Sequence, residues 1–181
     1  MKFWRLRSTL WVPQPPEKVF PFFADAHNLE QLTPPWLSFA ILTPSPIAMD
    51  VETRIDYRIK LHGIPMRWRT RIARWEPPYA FADEQLRGPY ALWHHTHTFV
   101  PSDGGTVLGD EVLMRPKGGP LAGLAMRWFV RGDVERIFRF RGDVMAQRFG
   151  GKPGSCTVRW VDGSEAAPTS PRATPAPAAH R

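Results

Sequence analysis

Residues 51–76, VETRIDYRIKLHGIPMRWRTRIARWE, decide the fold. In the first half Val51, Thr53, Ile55, Tyr57, Ile59 and Leu61 alternate with Glu52, Arg54, Asp56, Arg58 and Lys60. A period of two sends the two sets to opposite faces, so the segment is a long antiparallel strand with one wet face. The HGIP stretch, 62–65, turns the chain. Arg67, Arg69 and Arg71 then alternate with Met66, Trp68, Thr70 and Ile72 as a second half-buried strand.

The same period continues downstream. Pro77-Pro78 breaks the second strand, and YAFADEQLRG (79–88), PYALWHHTHTFV (89–100) and TVLGDEVLMRP (106–116) follow, the last two separated by the turn PSDGG. Successive strands joined by tight turns predict an antiparallel meander. Upstream, FAILTP (39–44) is a short strand and Lys2 to Val12 a longer one. Between these two, Pro15, Pro16 and Glu17 open a short helix with Val19, Phe20, Phe22 and Phe23 on its buried side. A second short helix, Asn28 to Leu32, stops before Pro34-Pro35.

One long helix is expected from about Pro120 to Phe149, with Val130, Val134, Ile137, Phe138, Val144 and Met145 as its apolar stripe. Glu135 and Arg139 form an i,i+4 pair on its polar side, Gly132 and Gly142 weaken its interior, and Gly150-Gly151 ends it. The expectation is an α+β domain over 1–150: a seven-stranded antiparallel sheet curved around a long C-terminal helix, with two short helices after the first strand. Residues 151–181 are rich in Pro, Ala, Ser and Thr with little to bury, and are expected to be a disordered tail. CTVRWV, 156–161, is assigned to that tail and not to the sheet.

Composition narrows the class. A chain of 181 residues with 43% hydrophobic content suits one domain with one core. The single cysteine, Cys156, excludes an internal disulfide framework or a cysteine zinc cluster and fits a reducing compartment. The N-terminus has no continuous apolar run of the signal-peptide kind, and no run approaches the ~20 residues that span a bilayer. A cytoplasmic protein is expected. The net charge of +7, from 24 Lys and Arg against 17 Asp and Glu, invites an anionic partner. No zinc finger, recognition-helix turn or aromatic-plus-basic RNA signature accompanies it, so no nucleic acid is expected.

LWHHTHTFV, 92–100, carries the chemistry. Trp93, His95, His97 and Phe99 share one face of the strand, so an inward Phe99 brings two imidazoles inside. On the preceding strand Phe81 brings Asp83, Gln85 and Arg87 to one face, and Tyr57, Ile59, Trp68, Thr70 and Ile72 complete an aromatic wall. Four readings of the histidines are open. They bind zinc with Asp83 or Glu111 as third ligand, which nothing in the sequence secures. One of them is a general base. They grip the polar end of an apolar ligand. Or they are tied to each other and to Asp83 or Gln85 as packing. The ligand-gripping reading is the principal expectation, with no metal and no cofactor. Arg141 falls on the apolar stripe of the long helix, where it can meet Asp83, Glu111 or a ligand carboxylate, or else carry its head to water. Asp110 and Glu111 point to opposite faces, and the sequence does not choose between them.

PPEKVFPFFADAHNLEQLTPPW, FADEQLRGPYALWHHTHTF and RPKGGPLAGLAMRWFVRGDVERIFRFR together resemble the helix-grip superfamily of START-domain, birch-pollen-allergen-like and polyketide cyclase/dehydrase proteins, SRPBCC for short, and within it the bacterial cyclase/dehydrase-like branch. The resemblance implies a hydrophobic ligand in a cavity between sheet and C-terminal helix. It leaves activity open, because fold does not imply function. The expected function is binding or transport of a lipid-like or polyketide-like molecule through Tyr57, Trp68, Asp83, Gln85, Trp93, His95, His97 and Arg141. The alternatives are a cofactor-independent cyclase or dehydratase with His95 or His97 as base, and a peripheral module for anionic membranes or proteins.

Overall fold

The alternation of 51–76 is realised as β3 (Arg54–Leu61) and β4 (Ile64–Glu76), with Ile55, Trp68, Thr70 and Ile72 buried and Arg58, Arg67 and Arg69 exposed. His62 and Gly63 join them with positive φ of 49° and 80°. That is the backbone a two-residue hairpin needs to follow the right-handed twist of its strands. The computed structural model describes residues 3–118, 126 and 130–161. Over these the chain runs β1 (Trp4–Val12), α1 (Pro16–Phe23), α2 (Leu29–Leu32), β2 (Ala40–Ile41), β3, β4, β5 (Ala80–Arg87), β6 (Tyr90–Ser102), β7 (Gly105–Pro116), α3 (Arg131–Phe149) and β8 (Thr157–Val161).

The strands form one sheet in the order β2-β3-β4-β5-β6-β7-β1-β8, antiparallel throughout. This is the helix-grip arrangement. Its eighth strand corrects the expectation from sequence: Thr157–Val161 pairs with Arg5–Thr9 of β1. The folded unit therefore ends no earlier than Val161, and the boundary at 150 is too short. The pairing covers the β1 edge, which would otherwise present unpaired main-chain groups. Trp160 contributes as well, meeting Trp4 edge-on at 6.3 Å and donating Nε1–H to Glu135 Oε1 at 2.5 Å. Glu135 thus has a tertiary partner beyond the i,i+4 neighbour expected of it. Lys2, the expected helix start at Pro120 and the sequence beyond Val161 lie outside the described residues.

The core has two parts. One lies under α1 and the C-terminal half of α3, where Val12, Val19, Phe20, Phe99, Leu108 and Met145 meet. The other gathers Leu6, Val112, Met114, Val134 and Phe138. Leu6, Val12 and Val112 are wholly excluded from water, and each such side chain contributes about 1.5–3 kcal/mol. A bulge between Ile72 and Arg74 resets the alternation of β4, so Trp75 packs inward against Phe20 and Phe81 at 5.2 and 5.6 Å. Gly142 lies buried on α3, and a Cβ built there would stand 2.4 Å from Cys156 Cβ. The glycine that weakens the helix from the inside is what lets the segment leading into β8 approach it.

Candidate functional site

Between the β3–β6 part of the sheet and α3, side chains do not fill the interior, and a cavity of about 210 Å³ remains. It exceeds the roughly 150 Å³ that accepts a benzene-sized guest. Part of its wall is aromatic. Trp68 stacks on Tyr57 at 5.9 Å and 15°, meets Trp93 edge-on at 5.4 Å, and contacts Tyr90 at 5.7 Å. Trp68 Nε1 is buried there without a hydrogen-bond partner among the described residues. Burial, reinforced by the Asp83 charge, drives the Tyr57 phenol upward, so it stays a neutral donor.

Strand register assembles the polar end. Asp83 of β5 stands opposite His95 of β6, and His97 stands opposite Asp110 of β7. Each imidazole consequently reaches both carboxylates. His95 Nε2 lies 3.0 Å from Asp110 Oδ1 and its Nδ1 3.7 Å from Asp83 Oδ2. His97 Nδ1 lies 3.0 Å from Asp110 Oδ1 and its Nε2 3.2 Å from Asp83 Oδ2. The rings sit 3.8 Å apart, and His97 also stacks on Phe81 at 4.0 Å. Ser8 Oγ donates to the second oxygen of Asp110 at 2.7 Å. Arg141 reaches in from α3, with Nη2 3.3 Å from His97 Nδ1 and 3.9 Å from Asp110 Oδ1, its guanidinium over Phe23.

The electrostatics follow from burial working against these partners. Burial, then the neighbouring His97, pushes His95 down to about 4 despite the two carboxylates, so it is neutral at pH 7. Burial would raise Asp110, but Arg141 and the hydrogen bonds of both histidines hold it well below the usual carboxylate range. Asp83 is likewise lowered, its burial outweighed by the His97 hydrogen bond and nearby positive charge.

Of the residues singled out from sequence, Tyr57, Trp68, Asp83, Trp93, His95, His97 and Arg141 line this cavity. Gln85 does not. Its amide donates to the Tyr90 carbonyl at 2.8 Å and accepts from the Tyr90 N–H at 3.2 Å, holding the β5–β6 turn. Arg141 finds Asp110, because Glu111 faces outward and binds Arg7 Nε at 2.7 Å. Ser8 and Asp110 are the members that sequence reasoning did not place. The in-phase run Leu6, Ser8, Leu10, Val12 was a usable signal for Ser8, since three apolar residues share its face.

A curved antiparallel sheet gripping a C-terminal helix around an aromatic, polar-ended cavity is the helix-grip architecture. The chain belongs to the polyketide cyclase / dehydrase and lipid transport family, whose family model matches residues 12–140. No curated protein matches the sequence. Among solved structures, the chain is similar to protein CV1439 of Chromobacterium violaceum, with a TM-score of 0.63 and 15% identity over 82% of this chain and 99% of that one. It is similar to TTHA0849 of Thermus thermophilus, with a TM-score of 0.61 and 17% identity over 80% and 98%. The di-domain ARO/CYC protein BexL from the BE-7585A biosynthetic pathway gives 0.60 and 16% over 83% of this chain and 51% of that one. At these identities the likeness establishes the fold. Among the described residues no helix is long and apolar enough to cross a membrane.

Proposed function

We propose that the protein binds a hydrophobic small molecule with an oxygen-bearing end, lipid-like or polyketide-like, in this cavity. The observation that carries the reading is the cavity of about 210 Å³ itself, walled by Tyr57, Trp68 and Trp93 with Asp83, His95, His97 and Arg141 among its lining. An apolar cavity with a few converging polar groups is the usual form of a small-molecule site. The apolar body would lie against Tyr57, Trp68 and Trp93, and the polar end would meet Asp83, His95, His97 and Arg141. Family membership supports the same class of occupant.

A catalytic role is the second reading, and one observation favours it. His95 is neutral, its Nε2 faces Asp110, and its Nδ1 is turned to the Asp83 side of a ligand-sized cavity. An imidazole oriented by a carboxylate is the arrangement of a general base. The anionic-surface reading has less support, because Arg69, Arg71 and Arg74 are each paired with a carboxylate on the outer face of β4. Native mass spectrometry of the purified protein, compared with its mass after denaturation, tests the proposal. A few hundred daltons released on unfolding support it. If nothing is released and no member of a panel of aromatic polyketides and fatty acids quenches the tryptophan fluorescence, the proposal fails.

A further inference from the structure

The outer face of the β3–β4 hairpin carries more positive charge than its own contacts balance. Strand register sets Arg58 directly across from Arg67, and Arg69 directly across from Arg87. Like charges in directly opposed positions destabilise an antiparallel pair. The carboxylates on this face are already engaged. Asp56 is held by Arg69 at 2.8 and 2.9 Å, and Glu52 and Glu84 both go to Arg71. Arg58, Lys60, Arg67 and Arg87 have no ion pair among the described residues, although Asp56 draws Arg67 and Arg87 from farther off. All four are exposed, on three adjacent strands. A wet face rich in arginine is commonly a solvated surface and nothing more. The tip of this hairpin sets it apart.

Ile64, beside the turn, is 64% exposed. It shares the inward phase of β4 with Met66 and stands opposite Leu61. Leu61 and Met66 line the cavity, as do Pro89 of the β5–β6 turn and Asp133 of the first turn of α3. An apolar tip, a set of unpaired cations and the cavity rim thus lie at one end of the sheet. We infer that this end docks on an anionic phospholipid bilayer, with Ile64 at the acyl boundary and Arg58, Lys60, Arg67 and Arg87 among the headgroup phosphates. Arg67 lies three residues behind Ile64, about 10 Å along the strand, and the headgroup layer is about 5–7 Å deep. A tilted hairpin therefore places the guanidinium at phosphate level while the tip meets hydrocarbon. Each Lys or Arg held near such a surface strengthens binding about fivefold. A nucleic acid backbone would meet the cations and leave Ile64 in water. A bilayer meets both. Docking in this pose turns the cavity rim toward the membrane, where a hydrophobic ligand enters or leaves without crossing water.

The inference rests on the cavity reading only for what the docked protein exchanges, so the test uses vesicles and the full chain without ligand. In sedimentation, binding is expected to vesicles of phosphatidylglycerol and phosphatidylcholine in equal parts and not to phosphatidylcholine alone. It should fall at least tenfold as salt rises from about 0.1 to about 1 M, over which the screening length drops from about 10 to about 3 Å. Arg58→Ser combined with Lys60→Ser is expected to weaken binding about 10–30-fold, and Ile64→Ser about 5–10-fold, in variants whose near-ultraviolet circular dichroism is unchanged. Lys18→Ser combined with Lys152→Ser removes the same charge at the opposite end, where α1 begins and α3 ends, and should leave binding within about twofold of the parent, since the surface attraction falls off within a screening length. Equal losses from the two double variants overturn the inference, as does an unchanged affinity in Ile64→Ser. Salt-sensitive retention of duplex DNA or single-stranded RNA without vesicle binding would give the face to a nucleic acid and overturn it too. Binding of 1-naphthol in solution by a protein that ignores the charged vesicles would keep the cavity reading and sink the docking. Vesicle binding by a protein that takes up no hydrophobic probe would do the reverse.

Discussion

His97 of β6 stands directly across from Asp110 of β7, and its Nδ1 lies 3.0 Å from the Asp110 Oδ1 that also faces His95. Strand register, not local sequence, makes that contact. Asp110 is also the acceptor for Ser8 and the neighbour of Arg141. Its removal therefore leaves several polar groups in a dry interior with nothing to face.

Asp110→Ala is accordingly expected to destabilise the fold by about 3–5 kcal/mol, the usual result of stranding a buried charge. Asp110→Asn keeps the shape and an acceptor oxygen and should cost clearly less. Urea denaturation of the two variants beside the parent measures both. A loss under ~1 kcal/mol for the alanine variant would show that the cluster is not holding the sheet to α3.

Trp68→Phe removes the unpartnered Nε1–H and keeps most of the aromatic wall. If that donor serves the ligand, affinity for an oxygen-bearing aromatic should fall about 5–10-fold, the worth of one hydrogen bond, and affinity for a purely hydrocarbon analogue should change much less. Competition between 1-naphthol and naphthalene, followed by fluorescence, separates the two. Equal losses would mean that Trp68 contributes shape alone.

His62 Nε2 is 2.7 Å from Asp133 Oδ2, joining the β3–β4 turn to the first turn of α3. Asp133, Leu61 and Val130 all line the cavity, so this contact spans its rim. His62→Asn retains a residue that tolerates positive φ but is too short to reach. Entry and exit rates of a bound probe in stopped flow should both rise severalfold while Kd moves little. A change in Kd without a change in rates would place His62 among the binding contacts instead.

Much of this architecture was legible from alternation. β3 and β4 read directly, because each has one polar and one apolar face over most of its length, and β5 to β7 read from the breaks and turns that separate them. So did the inward face of β6, since Trp93, His95, His97 and Phe99 share one phase. What failed did so for physical reasons. In β7 both phases are apolar around the carboxylates, Val107 and Leu113 beside Glu111 against Leu108, Val112 and Met114 beside Asp110, so pattern could not orient them. Gln85 was misplaced because β5–β6 pairing stops at Glu84 and His94, and the amide then replaces ladder bonds at Tyr90. β8 was missed because Thr157–Val161 lies in a Pro- and Ser-rich context and acquires its reason only from the edge of β1.

The contact that seats β8 gives the last prediction. A methyl at position 142 would stand 2.4 Å from Cys156 Cβ and 2.5 Å from Sγ. Alanine is the better helix former by about 1 kcal/mol, so propensity alone makes Gly142→Ala stabilising. The clash opposes it, because neither the helix nor the chain entering β8 can yield cheaply, and overpacking of this kind costs typically about 1–3 kcal/mol. Gly142→Ala should therefore be net destabilising. Cys156→Gly removes both clashing atoms, and in that background the same substitution should become neutral or stabilising. A double-mutant cycle in urea isolates the coupling, expected at about 1–3 kcal/mol between touching residues. Additive effects would mean that Gly142 is there for some reason other than the approach of Cys156.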